Sequence, residues 1–297
     1  MEILRPSSSE QLATSQSSSL VHQPPQMEIE DFICVLQIEP SDTFMALELA
    51  RRLVADERLD EALRVLRAVV RMDNQFQTLL DLGLLEYRME LQEASFEHLQ
   101  QALMIAPESA KGLFEIFKTL GNIFVRRGDF QSAEESYFRA HRIHPESDVL
   151  YVNLGTLAIQ RQAWDEAAEK FRTAIGICKT NDKAWVGLAV CHRMKGDHEL
   201  AWGNLEAALQ TNPLNEVALQ LIVDWGQQEG LESRVFEHLR TFLVKGGWNE
   251  KMSLAFVWFS FKCGHRLLAS LELERLLAVN PCNESAIRLA QELRSIL

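Results

Sequence analysis

No segment of this chain carries a recognisable signature of chemistry. The sequence contains neither GxxxxGK nor GxGxxG, no HExxH and no GxSxG, so it offers no phosphate cradle, zinc helix or nucleophile elbow. Its five cysteines (Cys34, Cys178, Cys191, Cys263 and Cys282) form an odd set without a CxxC pair. They read as free, mostly buried thiols in a reducing compartment rather than as a disulfide framework. Basic charge is in deficit. Thirty Lys and Arg against 42 Asp and Glu leave a net charge of −12 over 297 residues, which disfavours a nucleic-acid partner. Long apolar runs are also missing. Residues 1–26 hold one Arg, no Lys and none of the apolar stretch, roughly 7–15 residues, of a secretory signal. The most apolar run, Leu254 to Phe261, is bracketed by Lys251 and Lys262 and is too short to span a bilayer. A soluble, cytoplasmic protein without membrane insertion is expected. Apolar–polar alternation of the kind that marks strands is absent too.

What is present is a period. Phe117, Tyr151 and Trp185 stand 34 residues apart, and the same step links Leu120, Leu154 and Leu188, then Ala133, Ala167 and Ala201, then Ala140, Ala174 and Ala208. Such self-similarity identifies a repeat array. With Gly121 and Gly155 as equivalent positions, the repeats run 43–75, 76–109, 114–147, 148–181, 182–215, 216–249 and 250–283, with a capping helix at 284–297. Residues 110–113 are extra and should add about one turn to the next helix. Gly128-Asp129, Gly196-Asp197 and Gly264-His265 fall between helices, while Pro107, Pro145, Pro213 and Pro281 end the second ones, so each repeat reads as a helical hairpin. Before the array, residues 1–26 are Ser- and Gln-rich and read as disordered. Residues 27–42 mix acids with Ile29, Phe32, Ile33, Leu36 and Ile38. They read as an N-terminal cap, a segment that occupies the array's own groove, or a linear motif for a partner.

These residues resemble the tetratricopeptide repeat (TPR) family. Its pattern places a large residue and then Leu-Gly in the first helix, small residues where helices cross, and Pro near the end. Repeat 114–147 supplies Phe117, Leu120-Gly121, Ala133, Tyr137, Ala140 and Pro145; repeat 148–181 supplies Tyr151, Leu154-Gly155, Ala167, Phe171 and Ala174; repeat 182–215 supplies Trp185, Leu188-Ala189, Ala201, Leu205, Ala208 and Pro213. The likeness implies an all-α solenoid, a right-handed superhelix of about seven repeats, whose first helices line a concave groove. Repeats 216–249 and 250–283 depart from it, with Val223, Val235 and Val257 at small-residue positions and Gly246-Gly247 in place of Pro, so an altered packing angle is expected there.

The family's inward-facing register implies an apolar strip of Leu80, Leu84, Val149, Val152, Ile159, Val186 and Val190 with the cations Lys118, Arg126, Lys183 and Arg193 around it. Four cations in one groove reverse the overall charge locally, although each alone reads as an ordinary solvated residue. Chaperone-binding relatives hold a C-terminal carboxylate in a clamp of Lys, Asn, Asn, Lys and Arg. Lys118, Asn122, Asn153 and Lys183 match four of those five positions, and the fifth is Gly187, with Arg193 two turns on as an imperfect substitute. A second patch is implied at Lys251, Trp258, Phe261 and Lys262, where core packing is the competing reading. His141 and His144 have a metal-binding spacing but no third ligand, and read as surface histidines. No catalytic residue, metal or cofactor is indicated. The implied role is a non-catalytic adaptor or scaffold for a protein or peptide partner presenting an extended segment, a helix or a C-terminal carboxylate. A chaperone-like carrier of a secretion or assembly client is the competing role, and stacked repeat ends would permit self-association.

Overall fold

A computed structural model describes residues 42–107 and 110–295, with side chains described as far as Glu292. The tail 1–26 and segment 27–41, with the readings given for them, lie outside the described residues. Fifteen α-helices and no strand occur among those described. The chain divides into two compact units, one ending at Asn74 and the other beginning at Gln75.

The first unit holds α1 (Thr43–Ala55) and α2 (Leu59–Met72). Asp42 caps α1 by accepting the Met45 amide at 3.0 Å, and Ala46, Leu49, Ala50 and Leu53 are buried on one face of the helix. In α2, Ala62, Leu63, Leu66 and Val69 are buried at helical spacing.

The second unit strings helical hairpins together. They are α3 (Phe76–Arg88) with α4 (Gln92–Ile105), α5 (Leu113–Arg127) with α6 (Phe130–Ile143), and α7 (Asp148–Gln160) with α8 (Trp164–Ile177). Then follow α9 (Asp182–Met194) with α10 (His198–Thr211), α11 (Glu216–Glu229) with α12 (Glu232–Val244), α13 (Glu250–Lys262) with α14 (Arg266–Val279), and finally α15 (Glu284–Ser295). The small residues sit where the pattern needs them: Ala133, Ala140, Ala167, Ala174, Ala201 and Ala208 are all fully buried. Gly121 and Gly155 permit close crossing, because a Cβ on them would stand 2.4 Å from the Tyr137 ring and 2.8 Å from the Phe171 ring.

Asparagines link one hairpin to the next. Asn181, Asn215 and Asn249 cap α9, α11 and α13 through their side-chain oxygens. Each also donates its amide backwards to the first residue of the previous first helix: Asn181 to Asp148 at 2.8 Å, Asn215 to Asp182 at 2.9 Å and Asn249 to Glu216 at 2.8 Å. Asn283 caps α15 the same way, accepting the Ala286 amide at 2.9 Å, but its own amide nitrogen is buried without a partner.

One expectation is corrected. Residues 110–113 do not add a turn, since α5 starts at Leu113 and, with 15 residues, is only two longer than α7 and α9. Gly112 stands at φ 110° with Leu80 closed against it, and that left-handed backbone ends the helix on its N-terminal side. In α11 the close approach moves one turn along. Val223 is buried, and Gly226 meets Val235, whose Cγ2 lies 2.1 Å from where a Cβ would be. The hairpin α11–α12 is accordingly more open than its neighbours.

Candidate functional site

The first helices α7, α9 and α11 present one face each to a common cavity. Val152, Thr156 and Ile159 recur at helical spacing on α7, as do Lys183, Val186 and Gly187 on α9, while Val217 comes from the first turn of α11. Together with Asn153, Asp182, Asn212 and Asn215 they enclose about 550 Å³, and the ring of Phe171 reaches it from α8. Gly187 is what opens the cavity to that ring. A Cβ there would lie 2.3 Å from Phe171 Cε1 and Cζ, so no side chain fits at this step. The missing fifth clamp position thus has a steric cause.

The charges in the cavity are unequal. Asp182 accepts from Asn212 at 2.6 Å and from Asn215 at 2.9 Å, so its carboxylate is satisfied internally. Lys183 and Asn153 have no side-chain hydrogen bond or ion pair among the described residues. A second cavity of about 320 Å³ shares Val217 and is also lined by Glu216, Gln220, Leu221, Asn249, Lys251 and Met252. Val217 belongs to both cavities and is 63% exposed.

Of the residues singled out in the sequence, the structure brings Val152, Asn153, Ile159, Lys183 and Val186 to the first cavity and Lys251 to the second. Val149 is exposed and Val190 half-buried, and neither lines the cavities; Leu80 is a core residue. Lys118 pairs with Glu115 and lies 5.4 Å from the Phe114 ring. Asn122 accepts the Tyr137 hydroxyl at 2.7 Å, and Arg126 covers the Tyr87 ring at 5.4 Å. Arg193, the substitute for the missing clamp cation, donates to Glu229 and Gln228 and stacks on Trp225. In the other patch Trp258 is half-buried under Lys262, and Phe261 packs towards Val257, Ala269 and Leu276. The spacing that could have exposed the missed residues is present: Asn215 lies 34 residues from both Asn181 and Asn249, and Val217 lies 34 from Lys183 and Lys251.

Glu229 holds a polar junction between α9, α10 and α11. Burial works against its charge, but hydrogen bonds from His198, Arg193 and Trp202 bring its pKa down to about 2. Burial pushes the Cys191 thiol up to about 11, which leaves it protonated and unreactive at neutral pH. His141 and His144 lie edge-on to Tyr151 and Phe114, and among the described residues no group of three or more His, Cys, Asp or Glu is placed to hold a metal ion. Among the same residues no helix is long and apolar enough to cross a membrane.

A family model described as tetratricopeptide repeat matches residues 118–182. The chain is 30% identical over 99 residues to the cell division cycle protein 27 homolog of Caenorhabditis elegans, covering 33% of this chain and 13% of that protein. It is 25% identical over 183 residues to the BBSome complex member BBS4 of Bos taurus, covering 58% of this chain and 34% of the relative. It therefore spans about a third or less of the length of these two proteins. The crystal structure of a tetratricopeptide repeat protein from Parabacteroides merdae superposes with a TM-score of 0.54 at 15% identity, covering 84% of this chain and 97% of that one, which shows the shared fold.

Proposed function

Because the chain is a tetratricopeptide repeat protein, we propose that it works without catalysis, as an adaptor or scaffold holding a segment of a partner protein against its first helices. One observation supports this above the others: two cavities with mainly apolar linings share exposed Val217, and the first also holds an ammonium and an amide without an internal partner. A concave apolar surface with a few unsatisfied polar groups suits an inserted side chain whose backbone or charge is read at the rim. The protonated Cys191 agrees with a non-catalytic role. Free Cys178, Cys191, Cys263 and Cys282 agree with a reducing setting such as the cytoplasm. That the bovine relative is a member of a complex agrees with a scaffold. Capture of a C-terminal carboxylate is less favoured, since only Asn153 and Lys183 of the clamp set stand at the cavity.

The test is affinity capture from the native source with the wild-type chain and with Lys183→Glu/Val217→Asp. Both side chains are exposed, so the variant keeps the helical circular dichroism of the parent. Proteins captured by the wild type and lost from the variant are expected; an unchanged set overturns the groove as the binding surface.

A further inference from the structure

Lys183 and Lys251 are the second residues of α9 and α13, and Val217 is the second residue of the helix between them. The three therefore occupy one register position on successive first helices, in the order cation, apolar, cation. Neither ammonium has a hydrogen bond, ion pair or ring contact among the described residues. The acids beside them do not supply one, because Asp182 is satisfied by Asn212 and Asn215, and Glu216 accepts from Asn249. Further along α11, Asp224 accepts from Gln220 at 2.6 Å. A chain of net charge −12 thus keeps two bare cations at either end of an apolar step.

We propose that this surface takes an extended acidic–apolar–acidic segment, its two carboxylates meeting Lys183 and Lys251 and its apolar middle lying on Val217. The inference rests on the groove reading above and adds the chemistry of the occupant. The length follows from packing. Helices in direct contact stand about 8–10 Å apart, and α9 and α11 touch only sparsely, so two steps span at least roughly 16–20 Å. An extended chain covers that in about five or six residues.

The probe is a fluorescein-labelled peptide, Gln-Glu-Gln-Leu-Gln-Leu-Gln-Asp-Gln, with both acids and both leucines on one face of the extended chain, amidated at its C-terminus so that no terminal carboxylate is present. Its control replaces every Asp and Glu by Asn and Gln. Fluorescence anisotropy is read with the wild type, Lys183→Gln, Lys251→Gln, both together, and Val217→Asp. The acidic probe is expected to bind the wild type, and each single lysine variant to weaken it about three- to fivefold. The double variant should weaken it tenfold or more, with 0.5 M salt reproducing most of that loss. No binding of the acidic probe by the wild type, or equal binding of the neutral control, overturns the proposal. Equal affinities across the lysine variants together with loss in Val217→Asp also overturn it while leaving the groove reading intact.

Discussion

Gln162 carries its backbone at φ 60°, in the turn between α7 and α8. Glu57 and Glu90 do the same between α1 and α2 and between α3 and α4, at φ 61° and 63°. In the other hairpins Gly128, Gly196, Gly230 and Gly264 occupy this turn. The conformation is imposed by the reversal of the helix pair, so it appears whether or not the residue favours it. Glycine announces such a turn in a sequence and glutamine does not. Relieving the left-handed strain, Gln162→Gly is expected to stabilise the second unit by about 0.5–1 kcal/mol in urea unfolding, and a loss of stability would contradict this. Gly187 makes the opposite case. It reads in sequence as an omitted cation, whereas in the structure it is the only size that fits against Phe171. Gly187→Arg should cost about 1–3 kcal/mol through overpacking, and the cost should shrink when Phe171→Leu is added. The same loss in both backgrounds would contradict the steric reading.

The helices themselves were readable because their determinants are local: small residues at fixed spacing, capping Asn and Ser, and turn glycines. The asparagine ladder lies one level higher. Its period is visible in Asn181, Asn215, Asn249 and Asn283, but its backward hydrogen bonds depend on how neighbouring first helices lie, which no single segment encodes. Asn215→Ala loses a cap and a bond to a charged acceptor, and should cost about 2–3 kcal/mol. Asn283→Ala loses the cap alone and removes a buried amide without a partner, so about 1 kcal/mol is expected. Equal losses by chemical denaturation would show that the backward bonds contribute nothing. The same dependence on neighbours hid the shift from Val223 to Gly226 in α11.

The end of α11 differs from other first helices in charge. The ends of α5, α7 and α9 carry Arg127, Arg161 and Lys195, paired with Glu93, Glu134 and Asp165, whereas α11 ends in Glu229. A carboxylate there opposes the helix dipole and is held by Arg193, His198 and Trp202. Its pKa falls from the ordinary 4.5 to about 2 in the folded chain, so its stabilisation is complete above about pH 5 and fades as the pH falls towards 2. Glu229→Gln should therefore melt below the wild type at pH 7, with the gap closing between pH 5 and pH 2. A gap independent of pH over that window would show that the ionised junction is not what the variant removes.

For the molecule as a whole, periodicity gave the all-α hairpin solenoid, because a repeat encodes its own contacts many times over. The groove was legible only in part. Val152, Asn153, Ile159, Lys183 and Val186, picked out by register, line one cavity, but register alone does not tell a bare cation from one already engaged. Lys118, Arg126 and Arg193 look like Lys183 in sequence, and what distinguishes them is Glu115, the Tyr87 ring and Glu229 standing beside them in space. The decisive measurement places a photo-crosslinking amino acid at Val217 and, in a separate variant, at exposed Arg172 on α8, followed by irradiation in the native source. Crosslinks to a discrete partner from position 217 and none from 172 are predicted. Crosslinks from 172 alone, or equally from both, would contradict a partner held on the first helices.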